Sequence, residues 1–134
     1  MPSRIALLFR VLLAALFAST CFAIWIAVGR RADFLAAFPG AERPIVYRAM
    51  LTVAVAGLAA LAGLWRWQPW AIVLYGISAG AAVALDIVAQ APLAHRLAVL
   101  TMVVVVNVLI YANRYRFARP PARAARAARA LDRQ

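Results

Sequence analysis

Charged residues divide the chain into four long apolar stretches. Val11 to Val28 gives 18 uncharged residues before Gly29-Arg30-Arg31, and Ala49 to Trp65 gives 17 between Arg48 and Arg66. Trp67 to Leu85 gives 19 before Asp86, and apolar character continues to Ala94 with Gln90 as the polar break. Leu97 to Asn113 gives 17 between Arg96 and Arg114. A helix rises about 1.5 Å per residue, so about 20 residues cross a hydrocarbon core about 30 Å thick. The stretches are at the short end of that range, and arginines at their ends can snorkel to lengthen each span. Every backbone polar group in a bilayer must be satisfied internally, which favours helices; a barrel would need a polar alternation that is missing here.

The pattern predicts an all-α integral membrane protein, a four-helix antiparallel bundle with short loops and a basic C-terminal tail. The spans are expected at about 8–28, 46–65, 69–90 and 96–113 within a membrane domain of residues 1–113. Residues 114–134 form the tail, helical or disordered. The first stretch has a basic start and a weakly cleavage-like Cys21-Phe22-Ala23. Arg10 interrupts its apolar core and apolar residues run on to Val28, so a retained helix is expected rather than a signal peptide.

The connections are read from their turn chemistry. In the longest, Gly29 to Pro44, Asp33 can cap a helical turn over Phe34 to Phe38 that Pro39-Gly40 would end. Its apolar side chains suit the head-group layer. The turn around Arg66-Trp67-Gln68-Pro69 is tight, with Pro69 suited to the first turn of the third span. Trp65, Trp67 and Trp70 cluster there as an aromatic belt, with Tyr111 and Tyr115 expected at the same surface. Gln90-Ala91-Pro92 makes a third short turn.

Composition agrees with lipid as solvent. The chain has 134 residues, of which 67% are apolar and 14% charged; soluble domains average roughly half apolar and about a quarter charged. The net charge is +11, and all 15 basic residues are arginine. An even number of spans places both termini on one side, with Arg4, Arg10, Arg66 and seven tail arginines against five on the other. The positive-inside rule then puts both termini in the cytoplasm, with a bacterial inner membrane as the expected location.

Asp86 is the most informative residue. An acid within a span is costly and is a functional candidate by default. Arg48 and Arg96 come to a similar depth by antiparallel geometry, so a structural ion pair is the competing reading. Tyr75, Ala79, Ala82, Asp86 and Gln90 share one helical face, a possible polar track. Asn107 is expected to face Ser78 to Gly80, and Thr101 to fall near Asp86; such side chains can hydrogen-bond between helices. Gly76 and Gly80, extended by Ala84, and Ala59 with Gly63 have the small-residue spacing that permits close helix approach. Arg123, Arg126 and Arg129 recur every third residue, and with Arg119 they make a basic tail suited to anionic head groups or an acidic partner.

Other chemistries find little support. Cys21 is the only cysteine, so no internal disulfide forms, and it is expected as a small buried residue. His95 is the only histidine, placed in a loop as an interfacial polar group, and no metal or cofactor constellation accompanies it. No phosphate-cradling glycine motif and no nucleophile–base pair is visible, so no enzyme activity and no cofactor is expected. The tail lacks a folded reading head, so nucleic acid is not expected as a partner. The leading expectation is an accessory, structural or scaffold component that binds lipid, itself or a larger membrane complex. The alternative is a small oligomeric transporter or channel using Asp86, with Gln90, Thr101 and Asn107 beside its path.

Overall fold

A computed structural model describes residues 4–118. The described part is helical throughout, with no strand. Four helices are long and apolar enough to cross a membrane: α1 (Arg4–Gly29), α3 (Pro44–Trp65), α4 (Pro69–Val88) and α5 (Leu93–Ala112). Two short helices, α2 (Arg31–Ala37) and α6 (Arg114–Phe117), and a 3-10 turn at Pro39–Glu42 complete it. The remaining tail, with Arg119, Arg123, Arg126 and Arg129, lies outside the described residues.

Prolines start α3 and α4, where a missing N–H costs nothing because the first-turn donors have no intrahelical partner. The turns after α3 and α4 are built alike. Trp67 and Gln90 both take φ of 57°, the left-handed region. The N–H of Gln68 donates to the Gly63 carbonyl at 2.9 Å, and that of Ala91 to the Asp86 carbonyl at 2.8 Å, closing each helix with a Schellman motif. Pro69 and Pro92 follow, and neither helix can continue past them. A left-handed residue with a Cβ costs roughly 1–2 kcal/mol, and glycine removes most of that cost. Gln90 is exposed, so Gln90→Gly is expected to raise stability by about 1 kcal/mol. Denaturation of the detergent-solubilised protein reads this out. Trp67 is held by its ring, 5.4 Å from Phe9 and 5.2 Å from Phe117, and would gain nothing from the same change.

Two packed clusters hold the helices together. The larger joins Phe9 and Leu13 of α1, Ala60, Leu61 and Leu64 of α3, Ala71 and Tyr75 of α4, Val106 and Ile110 of α5, and Phe117 of α6. The smaller gathers Ala41, Val46 and Ala89, with Phe34, Leu35, Phe38, Met50 and Leu85 against them. It forms because the connection between α1 and α3 folds back. Gly40 donates its N–H to the Ala89 carbonyl at 3.1 Å, and the Tyr47 hydroxyl donates to the Ala27 carbonyl at 2.7 Å. The apolar side chains expected in a head-group layer are therefore packed on this turn.

Three local expectations change. Asp33 lies inside α2, which begins at Arg31, and makes an ion pair with Arg30 at 2.7 Å instead of capping the helix. His95 and Arg96 lie within α5, because Pro92 lets the helix start at Leu93. Cys21 is exposed on α1, since the outward faces of these helices carry as much apolar surface as the inner ones.

Candidate functional site

Between the two clusters the four long helices leave a chamber of about 420 Å³ that is open to the surface, with Ser19, His95 and Ala98 of its lining exposed. Ser19 and Thr20 of α1, Gly57 of α3 and Ala98 of α5 contribute to its walls. The α4 wall carries Tyr75, Ser78, Ala79, Ala82 and Asp86, a stripe at helical spacing with small residues between polar ones. The small side chains leave the space; large ones at Ala79 and Ala82 would fill it.

Asp86 sits at one end of the chamber, with its side chain 8% exposed. Because the α4–α5 turn reverses the chain within a few residues, His95 comes to face it. The His95 Nε2 lies 3.5 Å from the Asp86 Oδ2, a contact that becomes an ion pair when the imidazole is protonated. The ring of Phe38 stands edge-on to His95 at 5.2 Å, so the folded-back connection touches the imidazole, which stays partly exposed. Arg96 is close enough to attract the carboxylate electrostatically, and its buried Nε has no hydrogen-bond partner among the described residues.

Ser78 lies deeper on the same wall. It is 6% exposed, and its Oγ has no hydrogen-bond partner among the described residues. A buried hydroxyl without a partner costs about 1–3 kcal/mol, and here it lines a cavity. Thr20, across the chamber, donates to the Leu16 carbonyl of its own helix at 2.8 Å. The chamber therefore presents a carboxylate with an adjacent imidazole at one end, a hydroxyl partway along, and apolar walls between them. Such a surface can hold a small apolar molecule by its body and a cationic or hydrogen-bonding group by Asp86. Ser78→Ala is expected to raise the stability of the empty protein by about 1 kcal/mol, since it removes an unsatisfied group at almost constant volume. Stability gained at the expense of ligand binding would mark a functional residue.

The sequence candidates separate in space. Asp86 lines the chamber. Arg48 is exposed and makes no ion pair among the described residues, so Asp86 faces His95 instead of Arg48. Gln90 is exposed on the turn, outside the chamber. Thr101 and Asn107 are exposed on α5. They donate to their own helix, Thr101 Oγ1 to the Leu97 carbonyl and Asn107 Nδ2 to the Val103 carbonyl, both at 2.8 Å. The interhelical bonds expected of them do not form, because α5 is rotated to turn these residues outward.

The glycines divide too. A Cβ on Gly63 would stand 2.6 Å from the Ala71 Cβ, so this glycine permits the close approach of α3 and α4. Gly76 and Gly80 meet nothing within 4 Å, and Ala84 is exposed beside them. Ala59 is also exposed. His95 and Ser78 were not among the sequence candidates. A histidine nine positions beyond an acid in an apolar stretch, across a proline-ended turn, is the signal that could have singled out His95; Ser78 offered none.

Among the described residues no group of three His, Cys, Asp or Glu could hold a metal ion. Comparison with protein-family models, curated proteins and solved structures finds no match to this chain.

Proposed function

We propose that the four long helices insert as an antiparallel bundle in a bacterial inner membrane, with both termini cytoplasmic, and that the bundle binds and moves a small ligand. Its chamber takes a small, mostly apolar molecule with a cationic or hydrogen-bond-donating group, and Asp86 anchors that group. The observation that carries this reading is the pairing on one cavity wall of a buried carboxylate and a buried hydroxyl with no partner. Acids within spans mark substrate or ion paths when they face a cavity in the bundle. The 420 Å³ chamber falls within the size range of small-molecule sites.

The test uses the purified full-length protein and a compact hydrophobic cation, benzyltrimethylammonium, beside its neutral carbon isostere. Wild-type protein should prefer the cation. In Asp86→Asn, which keeps shape and removes charge, affinity for the cation should drop about tenfold while the neutral probe is unaffected, about 1.4 kcal/mol of charge-specific interaction. Equal loss for both probes would point to misfolding, and no loss would sink the assignment of Asp86.

A second reading rests on a different observation. Gly76, Gly80 and Ala84 present an outward face of small residues that nothing among the described residues covers. Such a face suits a helix of a second copy or of a larger complex, as an accessory or scaffold protein would need.

A further inference from the structure

At the end of the molecule away from Asp86, aromatic and basic residues surround a second hollow, open to the surface and about 920 Å³ in volume. Arg10, Arg66 and Gln68 supply its polar groups, and Trp65, Trp67 and Trp70 its rings. The Arg10 guanidinium lies 5.8 Å from the Trp65 ring and 5.9 Å from the Trp67 ring. Both distances lie within cation–π range, an attraction that leaves the charge of the guanidinium unneutralised.

The acids of the described residues are elsewhere. Asp33 pairs with Arg30, Glu42 lies on the 3-10 turn and Asp86 faces His95. Arg10 and Arg66 have no ion-pair partner among the described residues. A third hollow, of about 430 Å³, continues from the same residues along the α1–α3 seam. Ala62, Trp65 and Arg66 border both, and beyond them the seam is lined by Leu13, Phe17 and Leu61, with no polar side chain. A free anion would have use for the first hollow only. A molecule with an anionic head and an alkyl chain has use for both.

We propose that Arg10 and Arg66 hold the phosphate of an anionic phospholipid, with one acyl chain lying in the groove between α1 and α3. The guanidiniums offer forked donors that match phosphate oxygens. Gln68 adds an amide donor, and the indoles sit at the level where a head group meets its glycerol. The site is separate from the Asp86 chamber. It rests only on the reading of the long helices as membrane spans.

The experiment is native mass spectrometry of the full-length protein released from nanodiscs containing equal phosphatidylglycerol and phosphatidylcholine. One copy of phosphatidylglycerol should be retained in preference to phosphatidylcholine. The double variant Arg10→Gln with Arg66→Gln should lose about tenfold or more of that preference, as expected for two arginines at an anionic surface. Arg48→Gln should leave it intact. Ala14→Trp, which fills the groove, should weaken phosphatidylglycerol while leaving the binding of water-soluble glycerophosphate unchanged.

Phosphatidylglycerol retained equally by the double variant would overturn the site. So would full competition by inorganic phosphate, which would reduce it to an anion hollow. Arg10→Lys with Arg66→Lys, which keeps the charge, guards against misfolding; it should retain more of the preference than the glutamine pair. Protein washed from membranes by alkaline carbonate would sink the spanning reading and this site together. Protein that stays in the membrane without lipid preference would sink the site alone.

Discussion

Gly40→Ala is expected to release the connection between α1 and α3 from the α4–α5 turn and to lower stability by about 2–4 kcal/mol. The added Cβ would come 2.8 Å from the Ala89 Cα and 2.9 Å from its carbonyl carbon, and it would also overlap the Val88 carbonyl oxygen. All three are backbone atoms, so no side chain can swing away. Overpacking of this kind costs about 1–3 kcal/mol. The bond from the Gly40 N–H to the Ala89 carbonyl, 3.1 Å long, must also stretch or break, at about 0.5–1.5 kcal/mol more.

The consequence reaches the chamber. The same connection carries Phe38 onto His95, so its release would remove the ring that packs on the imidazole beside Asp86. Limited proteolysis between Arg30 and Arg43, beside an unfolding titration in detergent, measures both effects. Gly57→Ala is the control, since a Cβ there meets nothing within 4 Å. If the two variants behave alike, Gly40 does not clamp the connection.

Gly63→Ala should cost about 1–3 kcal/mol by forcing α3 away from α4. Its Cβ would lie 2.6 Å from the Ala71 Cβ and 2.8 Å from the Trp70 ring. Trp70 is exposed and can rotate. Ala71 is fully buried and cannot, so the backbones must part until the methyl groups reach ordinary contact at roughly 3.5–4.0 Å. The Gly63 carbonyl also accepts the N–H of Gln68, so the shift would disturb the turn that joins the two helices.

Gly76→Ala and Gly80→Ala should not lower the stability of the isolated chain and should raise it by up to about 0.5–1 kcal/mol each, since both lie inside α4 with room for a Cβ. A change in particle mass in those two variants, with stability intact, would favour the accessory reading. Equal stability losses at all three glycines would instead mean that α4 packs through both faces.

The candidate site was only partly legible. Asp86 could be singled out from sequence because a carboxylate inside an apolar stretch is costly wherever its helix turns. Its neighbours could not. Depth along a helix can be counted from sequence, and that count brought Arg48, Thr101 and Asn107 near the levels at which they were expected to pair. Facing requires the rotation of each helix about its axis. That rotation is poorly specified when apolar residues cover every side, as the exposed Val73, Ile77, Val104 and Val108 show for α4 and α5. Thr101 and Asn107 could turn outward at little cost because each bonds a carbonyl of its own helix.

By itself the sequence determined the all-helical class and the number of long apolar helices. It also placed their ends at Pro44, Trp65, Pro69 and Ala112 to within a few residues. These are local properties: backbone hydrogen bonding, the length of an uncharged run, and the effect of proline on a helix start. Only the tertiary structure decided that His95 faces Asp86, that Ser78 is buried without a partner, and that Gly40 and Gly63 are the glycines in close contact. Each of those depends on two segments meeting at a particular rotation and separation. Packing sets both, and no pattern along one segment records them.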